Sequence, residues 1–155
     1  IFLNALPDGV NALEQLQLDE LSVEPADLVF EFSERCAEED PERLASVLQG
    51  LQARGFGVAL DDVGTGYGSQ ALLERVRPDY LKLDVSLVHN IDENLIKQDL
   101  LASLVSIADR IGASVIAEGV ETDAEARTLQ EAGARYGQGY LFAVPAPAAA
   151  VGSGS

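Results

Sequence analysis

The amino-acid sequence predicts an α/β chain in which parallel strands are joined by crossover helices. Three observations predict it: short apolar runs of strand length recur along the chain, amphipathic helical stretches separate them, and no hairpin signal joins one run to the next. The runs are Ile1–Leu3, Leu28–Phe32, Val58–Leu60, Tyr80–Leu83, Ser114–Ala117 and Gly139–Phe142. A doubly wound sheet and a (β/α)8 barrel both fit this alternation. The glycine-rich stretch Gly64-Thr65-Gly66-Tyr67-Gly68 follows a strand but lacks the Walker lysine and the full GxGxxG spacing, which weakens the dinucleotide reading.

Each intervening helix has its own signature. After Pro41, the residues Leu44, Val47, Leu48 and Leu51 follow the i, i+3, i+4, i+7 rule, with Asp40 as N-cap and Gly55 shortly past the end. The segment Gln70–Arg75 predicts a weaker helix. A longer one runs through Leu101, Leu104, Val105, Ala108 and Ile111 and stops at Gly112. Thr122 and Glu125 have the spacing of a capping box and open a last helix that ends near Gly133.

At 155 residues, with 47% hydrophobic and 23% charged residues, the composition is that of one globular domain. We place it at residues 1–147, followed by a linker-like tail at 148–155 rich in Ala, Gly and Ser. Twenty-six acidic against ten basic residues give a formal charge of −16, which repels a nucleic-acid duplex. An acidic chain can still take a phosphate ester when divalent metal sits between carboxylate and phosphate. No apolar run is long enough to span a bilayer, no secretory leader is evident, and the single cysteine, Cys36, has no partner for a disulfide. A cytoplasmic protein without a membrane segment is the expectation. The chain opens Ile1-Phe2-Leu3-Asn4 without methionine, so it reads as cut from something longer.

Polar groups close the strand runs: Asn4, then Glu31 and Glu34, then Asp61 and Asp62, then Lys82 and Asp84, then Glu118 and Glu121, with Gln138 just ahead of the last run. In a barrel the C-terminal strand ends converge on one mouth, which would gather these scattered residues into one site. Taken singly, each acidic residue after a strand reads equally well as a helix N-cap or a solvated turn. Alternation sharpens the choice. Glu31 shares a face with Val29 while Phe30 and Phe32 face the other way, and Lys82 shares a face with Asp84 while Leu81 and Leu83 oppose it. A charge set between large apolar neighbours is costly unless it is paired or bound to metal. The one histidine, His89, reads as a loop residue, and the four tyrosines read as core or site lining.

Ala59-Leu60-Asp61-Asp62-Val63-Gly64-Thr65-Gly66-Tyr67-Gly68-Ser69 resembles the DDFGTGYSS segment of the EAL-domain cyclic-di-GMP phosphodiesterases. Tyr80-Leu81-Lys82-Leu83-Asp84, Ile116-Ala117-Glu118-Gly119-Val120-Glu121-Thr122 and Gln138-Gly139-Tyr140-Leu141-Phe142 resemble that family's lysine strand, AEGVET and QGYLF motifs, in order. Leu3-Asn4 and Glu31-Phe32-Ser33-Glu34 resemble its asparagine and glutamate strands.

The resemblance implies a (β/α)8 TIM-type barrel using two divalent ions, Mg²⁺ or Mn²⁺, to hydrolyse cyclic-di-GMP to linear pGpG in bacterial second-messenger signalling. It implies Asn4, Glu31, Asp61 and Asp62 as metal ligands, with Asp61 bridging, and Lys82, Glu118 and Gln138 as the groups that orient and activate the attacking water. It implies supporting roles for Glu34, Asp84, Glu121, Gly64, Thr65 and Gly66, self-association as a homodimer, and sensory or GGDEF domains on the N-terminal side.

The chain departs from the family in Ser33 for threonine, Val63 for phenylalanine and Gly68 for serine. It also has no Glu-Ala-Leu motif, so about six β/α units are expected, at roughly 30 residues each, with a metal-ligand glutamate and a phosphate-binding arginine missing. Such a fragment is expected to bind metal weakly, turn over poorly and self-associate. Two alternatives stand beside this reading: a catalytically silent cyclic-di-GMP receptor or dimerisation module, and a barrel lyase using Lys82 as a Schiff-base amine.

Overall fold

A computed structural model of the chain describes residues 1–4, 24–33, 41–63, 73 and 75–143. Among them, six strands form one sheet in chain order, each parallel to the next: β1 (Phe2–Asn4), β2 (Val29–Ser33), β3 (Gly57–Val63), β4 (Tyr80–Leu83), β5 (Ser114–Ala117) and β6 (Tyr136–Gly137). Four helices accompany them: α1 (Pro41–Ala53), α2 (Val85–Val88), α3 (Leu95–Ile111) and α4 (Asp123–Ala132), with short 3₁₀ turns at Pro25–Asp27 and Ile91–Glu93. Strand order that follows the chain without reversal is the wall of a (β/α) barrel, whereas a doubly wound sheet reverses order at its midpoint. The fold is an incomplete TIM-type barrel. Glu34, Cys36, Asp40, Gly64, Thr65, Gly66 and the tail at 148–155 lie outside the described residues.

Alternation along the strands separates two faces. Phe30, Phe32, Leu81 and Leu83, all at 3% exposure or less, pack into one apolar cluster with Leu44, Leu48, Leu101 and Leu129 from the helices. Burying each such side chain stabilises the fold by about 1.5–3 kcal/mol. The buried row on α1 is the one its periodicity predicts: Leu44, Val47, Leu48 and Leu51. On α3, Asn94 caps the first turn by accepting from Ile96 N and Lys97 N, and Gly112 ends the helix at φ 83°. The capping box of α4 forms as expected, and Gly133 terminates it. Of the weaker Gln70–Arg75 segment, Leu73 and Arg75 are described, and both are helical. Among the described residues no helix is long and apolar enough to cross a membrane.

The last strand is not where its apolar run suggests. It is Tyr136–Gly137, paired with Ile116 and Ala117 of β5, and Gly139–Phe142 is instead a turn in which Phe142 N and Ala143 N donate to Gly139 O at 3.0 and 3.2 Å. Val120 N donates to Gln138 O, which draws the chain so close that a Cβ on Gly139 would stand 2.2 Å from the Val120 carbonyl oxygen. Glycine is required there, and the bend prevents Tyr140-Leu141-Phe142 from continuing the ladder. Of the three, Leu141 is set against the main core, while Tyr140 and Phe142 are exposed.

Candidate active site

The inner face of the sheet carries two layers. Phe2, Tyr80 and Tyr136 form an aromatic row, Phe2 and Tyr80 meeting edge-on at 5.6 Å between ring centroids and Tyr80 and Tyr136 tilted at 6.3 Å. Each ring lies two residues before a polar group on the same strand or its extension: Asn4, Lys82 and Gln138. The three rings line a cavity of about 360 Å³ together with Lys82, Gln138, Glu31, Ile116 and Gly137. Stacked inward-facing layers of this kind are what a barrel interior consists of.

Lys82 is the centre of the polar layer. It is 5% exposed, and its Nζ lies 2.7 Å from Glu118 Oε1, 2.8 Å from Glu31 Oε1 and 3.5 Å from Asp61 Oδ1. Gln138 Nε2 donates to the same Glu118 oxygen at 3.1 Å. Five of the expected site residues, from five strand ends, therefore touch in one chain of contacts. Burial works against the Lys82 charge, but hydrogen bonds to Glu118 and Glu31 and the fields of Glu118 and Asp61 outweigh it, holding the ammonium well above its ordinary range. An ammonium paired with three carboxylates is a poor amine nucleophile, which weighs against the lyase alternative. Glu118 behaves oppositely: burial pushes its carboxyl up, with Asp61 and Glu31 adding to the push, by more than Lys82 pulls it down.

The placement of Asp61 and Asp62 was not legible from alternation, which would send consecutive residues to opposite faces. The β3–β4 register shifts between Leu60, opposite Leu81, and Val63, opposite Leu83, so three steps on β3 match two on β4. This bulge sets both aspartates against Lys82 in the ladder. Asp62 adopts a left-handed φ of 59°, and its N–H donates to Asp61 Oδ1 at 3.0 Å. Bulges beside active sites commonly re-aim a side chain in this way.

Asn4 pairs with Glu31 across β1 and β2, which puts an amide oxygen next to the first carboxylate. Asp84 lies beyond β4 as the N-cap of α2, accepting from Ser86 N at 2.8 Å, and that hydrogen bond holds its carboxyl below the ordinary range. The cap is formed, and Asp84 makes it directly after the strand that carries Lys82. Glu121 is exposed, on the loop after β5, and its backbone N–H donates to Glu125. Glu125 itself, read as one half of a capping box, has a wider set of contacts than that spacing signals. His89 follows α2 as a loop residue, its Nδ1 3.7 Å from Glu125.

The donor set suits a hard divalent cation. Glu31, Asp61 and Glu118 surround one ammonium, leaving a surplus of negative charge, and Asn4, Glu31, Asp61 and Asp62 offer only oxygen ligands. Among the described residues no three Asp, Glu, His or Cys side chains stand close enough to form a closed cage by themselves. Lys82 lies between the carboxylates, and an amide and water would have to complete the shell.

A (β/α) barrel with a lysine-centred acidic cluster at its strand ends defines the class of the protein. The chain belongs to the EAL domain family, whose profile matches residues 4–145. It is 40% identical over 139 residues to the cyclic di-GMP phosphodiesterase PdeR of Escherichia coli, covering 90% of this chain and 21% of that protein. Against the bifunctional diguanylate cyclase/cyclic di-GMP phosphodiesterase MucR of Pseudomonas aeruginosa the identity is 32%, over 82% of this chain and 18% of the relative. Klebsiella pneumoniae BlrP1, solved with calcium and cyclic di-GMP, superposes with a TM-score of 0.84 at 35% identity, covering 93% of this chain and 38% of that one. The same protein has been solved with manganese and cyclic di-GMP. The chain spans about a fifth of the length of these curated relatives.

Proposed function

We propose that this barrel hydrolyses cyclic di-GMP to linear pGpG in a divalent-metal-dependent reaction. The observation that supports it most is the Lys82 ammonium held between Glu31, Asp61 and Glu118 at the strand ends, with Gln138 behind Glu118. Asn4, Glu31, Asp61 and Asp62 would hold Mg²⁺ or Mn²⁺, and metal bound there would lower the pKa of water and offset charge on the phosphate.

The chain's own residues do the rest. Glu118, its carboxyl raised by burial, is a better proton acceptor than an ordinary glutamate and takes the proton from the attacking water. Lys82 stays protonated, orients Glu118 and that water, and donates a hydrogen bond to the charge that develops on phosphate. Gln138 fixes the Glu118 carboxylate from the far side. Glu34, Glu121 and the loop with Gly64, Thr65 and Gly66 support metal and substrate, and Asp84 acts through the cap it gives α2.

The protein acts as a homodimer. An exposed apolar row on α3, Leu95, Ile96, Leu100 and Ile107, supports pairing with a second copy. Sensory or GGDEF domains on its N-terminal side are supported by the chain's small share of its relatives' length and by the two activities in MucR's name. A cytoplasmic location fits the lone thiol Cys36.

Incubation of cyclic di-GMP and Mg²⁺ or Mn²⁺ with the protein carrying all eight barrel strands, with separation of the products, tests the reading. Metal-dependent appearance of pGpG is expected. Tight binding with no turnover would replace the enzyme with a receptor.

A further inference from the structure

We infer that Glu125 is a positioning residue, whose carboxylate clamps the segment leaving β4 after Lys82 to the loop leaving β5 after Glu118, and so holds those two groups together. Its effect on catalysis rests on the hydrolase reading; the clamp itself does not.

Glu125 is 1% exposed although it is a carboxylate. Its Oε1 accepts from Asn90 N at 2.8 Å, and its Oε2 accepts from Glu121 N and Thr122 N, each at 3.0 Å. A capping box requires only the Thr122 bond. The other two extend the same carboxylate to a second loop, 35 residues away in sequence. Asn90, two residues past the end of α2, holds a left-handed φ of 54°, a conformation that asparagine tolerates better than most residues.

A second contact presses the same two segments together. Gly119 immediately follows Glu118, and a Cβ there would stand 2.4 Å from Val85 Cγ2 at the start of α2. From the other side, Lys97 Nζ donates to the Ser86 and His89 carbonyls at 2.6 and 2.5 Å and holds the end of α2. The segments that follow Lys82 and Glu118 thus meet at one buried carboxylate. Three backbone donors satisfy that carboxylate: burial pushes its pKa up, but the amides of Glu121, Asn90 and Thr122 outweigh it and hold the group below the ordinary range.

Amide hydrogen exchange on this chain reads the clamp directly. In the wild-type protein the Asn90, Glu121 and Thr122 amides should be protected and should open together. In Glu125→Ala all three should exchange at least about tenfold faster while the Leu129 amide inside α4 keeps its rate. Glu125→Gln keeps one acceptor oxygen for Glu121 and Thr122 and turns an amide group toward Asn90, so Asn90 alone should accelerate. Thr122→Ala should fray the first turn of α4 and leave Asn90 unchanged. An Asn90 amide that exchanges in the wild type as an exposed loop does, or one indifferent to Glu125→Ala, overturns the clamp; the wild-type arm decides even if a variant fails to fold.

The catalytic arm is separate. In the protein with all eight barrel strands, Glu125→Ala should lower kcat about tenfold with KM within about twofold, a larger loss than Thr122→Ala produces. Equal losses in the two variants would reduce Glu125 to a helix cap. Protected amides in a protein that never turns over cyclic di-GMP would leave the clamp standing and remove the hydrolase reading.

Discussion

Among the described residues two charged side chains are buried, Lys82 and Glu125, and they are held in opposite ways. Lys82 is surrounded by side chains that titrate: Glu31, Asp61 and Glu118. Glu125 is hydrogen-bonded by the backbone amides of Asn90, Glu121 and Thr122, which do not, and the one titratable group beside it, His89 Nδ1, stands farther off at 3.7 Å. The first arrangement leaves surplus negative charge that a cation, a proton or a phosphate-bound metal can alter. The second is complete as it stands. A buried charge closed by main-chain donors stabilises a fixed geometry, whereas one closed by other ionisable groups can change its state, and chemistry needs that freedom.

Substitutions should separate the two regions. The largest effect belongs to Asp61→Asn in a version of the protein with all eight barrel strands. Because the carboxylate would touch both ions, turnover should fall well beyond the 10- to 100-fold expected of an outer-sphere change. Kinetics at saturating Mn²⁺ measure it, and near-normal rates would remove the two-metal assignment. Next comes Lys82→Met, which strips three carboxylates of their common partner. It should lower turnover by a smaller factor than Asp61→Asn does and lower stability by about 1–3 kcal/mol by urea unfolding, with much of that loss restored by millimolar Mg²⁺. A variant no more stable with Mg²⁺ than without it would argue against the cation-binding role of the cluster.

The pH dependence of stability sharpens the contrast. The Lys82 pKa is raised in the folded state, so its contribution is full below the ordinary 10.5 and is lost as pH rises through the folded value. The Glu125 pKa is lowered, so its contribution is present above the ordinary 4.5 and is lost as pH falls through the folded value. Glu118 shares one ion pair with Lys82, so that pair's contribution is counted once, on Lys82, while burial holds the Glu118 carboxyl above the same 4.5. At pH 7, Glu125→Ala should lower the unfolding midpoint, and the loss should shrink as pH falls through the folded value of Glu125. A loss in urea titrations that stays constant across that range would show that the Glu125 carboxylate is not held by its amides. The smallest effect is Thr122→Ala, which removes the hydroxyl that accepts from Glu125 N and should cost about 0.5–2 kcal/mol with kcat intact.

Much of this arrangement could be read from the chain. Period-2 alternation separated Lys82 from Leu81 and Leu83, and period-3.6 spacing placed the buried row of α1, because both rest on local geometry that packing reinforces. Three features escaped for different reasons. The bulge at Asp61 and Asp62 is a register change between two strands, and a single strand's pattern contains no record of its partner's. The end of β6 was displaced because Tyr140-Leu141-Phe142 imitates a strand, while the bend depends on how closely Gly139 approaches Val120. The bond from Asn90 to Glu125 joins two loops far apart in sequence, and the capping-box spacing explains Glu125 well enough locally to hide it.

The account turns on Glu118 as the proton acceptor at a metal site that it does not itself form. Cyclic di-GMP hydrolysis by the eight-stranded protein and its Glu118→Gln variant, with Mn²⁺ affinity measured in parallel by calorimetry, tests that claim most directly. The wild type should turn over at roughly 1 per second or faster, and the variant should lose at least tenfold in kcat while its Mn²⁺ affinity stays within about twofold. Undiminished turnover in the variant, or a loss of metal binding equal to that of Asp61→Asn, would contradict it.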